Sequence, residues 1–376
     1  MELSISKRNF LRGLARTHSV ADRKSSMPIL SNILLSTEDT STLRLAATDL
    51  YLGVAASTEA QVKAGGAVAV SARTLFDIVK NLPDGEVQWT VGPNHAAEIR
   101  CGKVKYKIPG MPGDDFPPLP SAGRAEFVEL DAEILGKLIQ RTHFSMSSDD
   151  TRPHLAGALF EGDGKLVRMV TTDGHRLSKA EERLEEGMLN FQMLVPNKGI
   201  GELRKLIEDA KGDRPKGDET PVRIGIATSG GNAFFRREGV QLSVKLADEQ
   251  FPPYAKVIPQ RQSRRVVAAR GALVDSLKRI SLVSSDKSGG VRFAVQEGLL
   301  RIVSESPDVG EGSEELDVDY AGDPVTIGFN ARYVLDVLNA LDDDEVVLEL
   351  SGELDPGVIK PATDSSFVGV VMPMRI

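Results

Sequence analysis

The chain has 376 residues, too many for one hydrophobic core and enough for two or three domains. Its apolar and charged fractions, 41% and 27%, match those of a folded globular protein and exclude a disordered or fibrous chain. A formal charge of −8 counts at first sight against a phosphate-rich partner, and the lone Cys101 excludes a disulfide framework or an intrachain thiolate cluster. Reduced cysteine, with no apolar run suited to a signal peptide or a membrane span, leads to an expected cytoplasmic location.

In the first third, Lys7 to about Val20 reads as an amphipathic helix with Phe10, Leu11 and Leu14 on one face and Arg8, Arg12 and Arg16 recurring every four residues on another. Alternating runs at Ile33 to Ser36 and Leu43 to Thr48 read as strands. Arg73 to Leu82 forms a second helix, closed by Pro83-Asp84-Gly85, and strands return at Val87 to Val91, Ala97 to Cys101 and Lys103 to Ile108. The middle third has helices at Asp131 to Ser145 and Asn197 to Lys211. Its strands pair as Ala158 to Glu161 with Leu166 to Thr172, through a hairpin turn at Gly162-Asp163-Gly164, and as Arg223 to Ala227 with Val240 to Lys245. The last third has helices at Ala272 to Ser284 and Ala331 to Leu341 and a final strand from Phe367 to Met372.

One unit therefore occurs three times. Ala46-Ala47-Thr48-Asp49 precedes Val70-Ser71-Ala72, Val170-Thr171-Thr172-Asp173 precedes Val195-Pro196-Asn197, and Ile302-Val303-Ser304-Glu305 precedes Ile327-Gly328-Phe329-Asn330, at nearly constant spacing and each time before a helix. Phe116-Pro117-Pro118-Leu119-Pro120 and Phe251-Pro252-Pro253-Tyr254 punctuate the repeats, because consecutive prolines cannot continue a ladder. The fold class is α+β, with three tandem domains at residues 1–120, 121–253 and 254–376, each with two helices and antiparallel sheets. Such an array leaves strand edges open at its two ends, and joining the last unit of one chain to the first of another closes a ring of two chains. All six helices are then expected on one face.

Charge is segregated along the chain. Lys7, Arg8, Arg12, Arg16, Arg23 and Lys24 face a single Asp22, whereas acid gathers at Glu181-Glu182, Glu185-Glu186, Glu311 to Glu315 and Asp342 to Glu345. One surface can therefore attract a polyanion while the rest repels it.

Met27-Pro28-Ile29-Leu30-Ser31-Asn32, Ala47-Thr48-Asp49-Leu50, Thr172-Asp173-Gly174-His175-Arg176-Leu177, the run from Tyr333 to Leu341, and the terminal Val371-Met372-Pro373-Met374-Arg375-Ile376 together resemble the bacterial DNA polymerase III β subunit family, the sliding clamps. The resemblance runs from the first helix to the last residue. It implies a head-to-tail homodimeric ring of six clamp domains around duplex DNA, which tethers the replicative polymerase, confers processivity, catalyses nothing and needs no cofactor or metal.

A ring that slides needs sequence-independent attraction to phosphates. Arg8, Arg12, Arg16, Lys24, Lys80, Lys137, Arg141, Lys198, Lys205, Lys278 and Arg279 are the expected DNA-facing cations. The resemblance further implies a groove for short linear motifs of polymerases, clamp loader and repair proteins. Its matching residues are Arg152, Leu155, Thr172, Gly174, His175, Arg176, Leu177, Pro252, Lys256, Val257, Asn330, Tyr333, Val370, Met372, Pro373, Met374 and Arg375. Flexible Met372 and Met374, with Leu155, Leu177 and Val257, suit one floor serving many ligands, while Arg152, Arg176 and Asn330 are expected as polar anchors at the rim. Lys256 stands where the family often has Arg, and Pro153 and His154 stand where relatives carry aromatic DNA contacts.

For ring closure, strand alternation from Lys103 to Ile108 puts Lys103, Lys105 and Lys107 on one face and Val104, Tyr106 and Ile108 on the other. The expected partner surface combines Leu282 and Val283 with Glu311, Glu314 and Glu315. Two other functions compete with the clamp. An enzyme built on Asp173 and His175 lacks any supporting cluster, and the S-x-x-K matches Ser4-Ile5-Ser6-Lys7 and Ser284-Ser285-Asp286-Lys287 lack their companion motifs. A repeat scaffold that binds proteins alone would share the groove but not the basic helix face.

Overall fold

The computed structural model describes residues 1–149, 151–185, 188–213, 217–284 and 289–376. Glu186 and the segment Ser285-Asp286-Lys287 of the second S-x-x-K match lie outside the described residues. Six α-helices occur among them: α1 (Lys7–Thr17), α2 (Ala72–Asn81), α3 (Ala132–Thr142), α4 (Asn197–Gly212), α5 (Arg270–Ile280) and α6 (Ala331–Asn339). Local chemistry sets several boundaries. Ser6, Ser71 and Asn330 cap α1, α2 and α6 by accepting from the amides of Asn9, Thr74 and Arg332. Two helices end alike in Thr-His: the hydroxyls of Thr17 and Thr142 donate back to Gly13 O and Leu138 O, at 2.9 and 2.7 Å, and a short 3₁₀ turn follows.

Two compact units result, Met1–Glu133 with Gly201–Leu246 and Ile134–Ile200 with Ala247–Ile376. In the first, a nine-stranded sheet runs Gly110–Pro112, Ala67–Ser71, Asn32–Thr37, Thr42–Thr48, Leu52–Glu59, Val240–Lys245, Asn232–Arg237, Arg223–Ser229, Val128–Asp131. A five-stranded sheet runs Gln61–Ala64, Glu2–Ser6, Glu86–Val91, Ala97–Cys101, Val104–Ile108. In the second unit an eight-stranded sheet runs Leu189–Pro196, Gly157–Gly164, Leu166–Thr172, Arg176–Arg183, Phe367–Val371, Gly357–Pro361, Glu345–Leu350, Arg264–Ala269. A four-stranded sheet runs Gly310–Asp317, Leu299–Ser306, Gly290–Gln296, Val325–Asn330.

The threefold repeat is visible in this order. Leu52–Glu59 pairs antiparallel with Val240–Lys245, and Arg176–Arg183 pairs in the same sense with Phe367–Val371. Each large sheet thus joins strands of one repeat to strands of the next, which is why the compact units straddle the repeats. Two edges are left at the corresponding positions: Val104–Ile108, the counterpart of Val240–Lys245 and Phe367–Val371, and Gly310–Asp317, the counterpart of Leu52–Glu59 and Arg176–Arg183.

Three expectations from sequence are corrected. Asp163 pairs with Leu166, so the hairpin turn is Gly164-Lys165, opened by Gly164 at φ +60, and Gly162 belongs to the ladder. Arg223–Ser229 and Val240–Lys245 do not pair with each other, because Asn232–Arg237 lies between them. Its Ala233, Phe234 and Phe235 are all buried, so it carries no period-two signal. Cys101 pairs with Val104, which puts Lys103 in the turn with Gly102 (φ +55), outside the strand.

The first repeat's core gathers Phe10, Leu14, Ile33, Leu75, Val79 and Trp89, with Phe10 and Trp89 edge to face at 5.9 Å. Phe10 is fully buried. Phe10→Ala is expected to cost about 3–5 kcal/mol, measurable as a lower denaturant midpoint of the unfolding transition followed by Trp89 fluorescence.

Candidate functional site

The expected groove residues all fall within the second compact unit. Thr172-Asp173-Gly174-His175-Arg176 turns between two strands of the eight-stranded sheet, and side chains hold the turn. Thr172 Oγ1 donates to Arg176 O at 2.6 Å and accepts from the Gly174 amide at 3.1 Å, while Asp173 Oδ1 accepts from the amides of His175 and Arg176 at 2.9 and 3.0 Å. Gly174 has φ +91, which a side chain would disfavour.

Arg176 is a strut, not the rim anchor expected from sequence. Its side chain is 9% exposed, with Nε on Asp173 Oδ2 at 3.0 Å, Nη1 on Asp336 Oδ2 at 2.5 Å and Nη2 on Phe144 O at 2.5 Å. The guanidinium also lies over the Tyr333 and Phe144 rings, 4.4 and 5.6 Å from their centroids. Asn330 likewise caps α6, its Oδ1 accepting from Arg332 and Tyr333. Arg152 is partly exposed, with Nε on Asp149 Oδ2 at 3.0 Å and Nη1 on Asp173 O at 3.3 Å.

Around this turn, His175 stacks on Tyr333 at 6.4 Å, and its carbonyl accepts from the Met372 amide at 2.9 Å. Leu177 pairs with Val370, and both belong to an apolar cluster with Phe251, Tyr254 and Ile258. Leu155 and Thr172 are buried, Pro252 adjoins Phe251, and Lys256 and Val257 are exposed at the end of the short turn Tyr254–Lys256. The tail continues through half-buried Pro373 and Met374 to exposed Arg375, and the Met374 amide donates to Gly328 O at 2.7 Å. Sequence reasoning missed Phe144, Tyr254, Asp336 and Glu161. No local spacing marks them, since each acts across the fold.

The expected DNA-facing cations divide by their partners. Arg8, Lys24 and Lys278 are exposed, and their side chains have no carboxylate partner among the described residues; Lys198 is exposed, and Lys80 is exposed over Phe76. Arg16 and Arg141 are corrected. Arg16, 12% exposed, is held by Asp209 and Asp213, both at 2.7 Å, and Arg141 donates to Ser366 at 2.7 Å beside Asp364. Neither can reach a phosphate without breaking an enclosed ion pair. Arg12 is exposed but reaches Asp213, Lys137 pairs with Glu182, and Lys205 pairs with Glu202.

At the two open edges, Lys105 and Lys107 are exposed and Tyr106 is 41% exposed, whereas Ile108, expected at the interface, is corrected: it is buried in the core of its own repeat. Leu282 is 77% exposed, while Val283 packs against Gly312. Strand alternation separates the acids: Glu311 and Glu315 project together, and Glu314 turns to the other side, bound by both arms of Arg279 at 2.5 and 3.0 Å. This corrects both the grouping of Glu314 with its neighbours and the free role expected for Arg279. Hydrogen bonding to Arg279 holds the Glu314 carboxyl below its usual range.

Beneath the groove, Tyr254 donates to Glu161 Oε2 at 2.9 Å. Burial, then the hydrogen bond and charge of Glu161, push the phenol above its ordinary value. The fold favours the neutral phenol, so its contribution is complete below the unfolded pKa and is lost as pH rises through the folded one. Subtracting the 295 nm titration of Tyr254→Phe should reveal a tyrosine ionising above about pH 10, and Glu161→Gln should move it down.

Comparison with known proteins gives one result along the whole chain. Family models for the N-terminal, central and C-terminal domains of the DNA polymerase III beta subunit match residues 1–120, 129–253 and 255–375. The chain is similar to the beta sliding clamps of Caulobacter vibrioides (33% identical over 383 residues) and Salmonella typhimurium (35% over 378 residues), covering 100% of both partners in each case. Among solved structures it resembles the Caulobacter crescentus clamp (TM-score 0.93, 31% identity, 100% of this chain and 99% of that one). It also resembles a Bartonella birtlesii DNA polymerase III subunit beta bound to griselimycin (TM-score 0.92, 32% identity, 100% of both chains).

Proposed function

The chain belongs to the family of DNA polymerase III beta subunits, the beta sliding clamps, and from that premise we propose that two copies close head to tail around duplex DNA. The ring tethers a replicative polymerase and confers processivity without catalysis or cofactor, in the cytoplasm. Clamp loader and repair polymerases share the groove at Thr172–Leu177 and the Met372–Arg375 tail through short linear motifs. Domain limits are set at 1–120, 121–253 and 254–376.

The observation that carries this reading is the pair of open edges. Val104–Ile108 and Gly310–Asp317 correspond to strands that pair at both internal joints, so the missing joint lies between two copies. Lys105 and Lys107 of one copy, with Lys103 in the adjoining turn, then meet Glu311 and Glu315 of the other, and Tyr106 meets Leu282 and Val283. Arg8, Lys24, Lys80, Lys198 and Lys278, with Arg12, supply attraction to phosphates.

Loaded onto nicked circular DNA by a bacterial clamp loader, the protein should remain bound through gel filtration and leave when the circle is linearised. Equal loss from both forms would favour a protein-only scaffold. Charge reversal at Lys103, Lys105 and Lys107 should weaken dimerisation at least tenfold, about 1.4 kcal/mol, and change its salt dependence in sedimentation; unchanged association would refute the pairing.

A further inference from the structure

The turn that orders the groove occurs twice. Residues 48–52 repeat residues 172–176 bond for bond: Thr48 Oγ1 donates to Leu52 O at 2.6 Å, the Leu50 amide donates to Thr48 Oγ1 at 2.9 Å, and the Tyr51 amide donates to Asp49 Oδ1 at 2.9 Å. The equivalent bonds in the second turn are made by Thr172, Gly174, His175 and Asp173. The third position differs. Where Gly174 adopts a positive φ without penalty, Leu50 is held at φ +74, and the same turn displays Leu50 at 51% and Tyr51 at 65% exposure.

A cation adjoins this apolar pair. The Lys245 amide donates to Tyr51 O at 2.8 Å, and its ammonium lies 5.5 Å from the centroid of the Tyr51 ring, with no carboxylate partner among the described residues. We propose that residues 49–51 and Lys245 form a second docking point for a partner peptide, which sets a bulky apolar side chain against Leu50 and Tyr51 and a carboxylate against Lys245. The inference rests on reading residues 172–177 as a peptide-binding turn, whose hydrogen bonding it duplicates. A nucleic-acid strand fits less well, because a chain of phosphates calls for several cations, whereas the contacts of this turn bring it one, Lys245, among the described residues.

The test uses the full chain and acetyl-Asp-Leu-Phe-amide with a photoreactive leucine, cross-links being mapped by mass spectrometry. Two sets are expected, one at residues 48–52 and 245, the other at 172–177 and 370–375. Leu50→Gly with Tyr51→Ala, in which glycine suits the backbone and keeps the turn, should reduce the first set at least tenfold and leave the second unchanged. Lys245→Glu should reduce the first set at least fivefold. Cross-links confined to the second set overturn this inference alone, and absence of both sets overturns the groove reading with it. Labelling of residues 48–52 by a photoreactive oligothymidylate but not by the peptide overturns the peptide assignment.

Discussion

Main-chain pairing at the joints between repeats is the constraint on which the rest of this molecule depends. A half-sheet that ends in solvent presents a row of unpaired amides and carbonyls, and this chain meets that problem twice by continuing one repeat's ladder into the next. The same solution cannot serve the two outermost half-sheets. Their edges carry opposite charge, exposed Lys105 and Lys107 on one and Glu311 and Glu315 on the other. Each edge therefore repels a copy of itself and attracts the other, which favours head-to-tail closure over a symmetric edge-to-edge pair.

The joints also create sites. At Arg176–Arg183 and Phe367–Val371, the ladder fixes the Thr172–Arg176 turn against the C-terminal tail, so the bond from Met372 to His175 continues the strand register. Arg176 makes the turn stiff by tying it to α6 through Asp336 and to the Phe144 carbonyl. Exposed Met372 follows directly on this rigid polar frame, and in the proposed groove such a flexible thioether suits varied apolar segments. At the other joint the same geometry follows from the same ladder. Leu52 pairs with Val244, and that register sets Tyr51 beside Lys245.

Much of this was legible from residue order. Alternation marked Leu43 to Thr48 and Leu166 to Thr172, helical spacing marked all six helices, and the recurring Thr-Asp turns exposed the repeat. What sequence hid was long-range chemistry. Arg12 and Arg16 occupy equivalent positions on one stripe, yet only the fold brings Asp209 and Asp213 to enclose Arg16. Arg176–Arg183 was missed because charged side chains fill its more exposed positions, leaving few apolar residues to show its period. Nor could spacing reveal that Arg176, placed within a turn like any rim residue, points inward to carboxylates far along the chain.

The engaged cations bear on how a clamp can slide. A positively lined surface on which every Lys and Arg reached a phosphate would bind tightly and move slowly, since each contact adds counterion release to the affinity. Here Arg16, Arg141 and Arg279 brace helices and strands through internal carboxylates, and Arg12, Lys137 and Lys205 share theirs at the surface. Of the cations expected to face DNA, that leaves Arg8, Lys24 and Lys278, with Lys80 over Phe76, lacking a carboxylate partner among the described residues of a chain of net charge −8. Weak, sequence-independent attraction of this kind centres a duplex without anchoring it. In the proposed ring, enclosure supplies retention, so the strength of the joint between copies, rather than the affinity for phosphate, would set how long the protein stays on DNA.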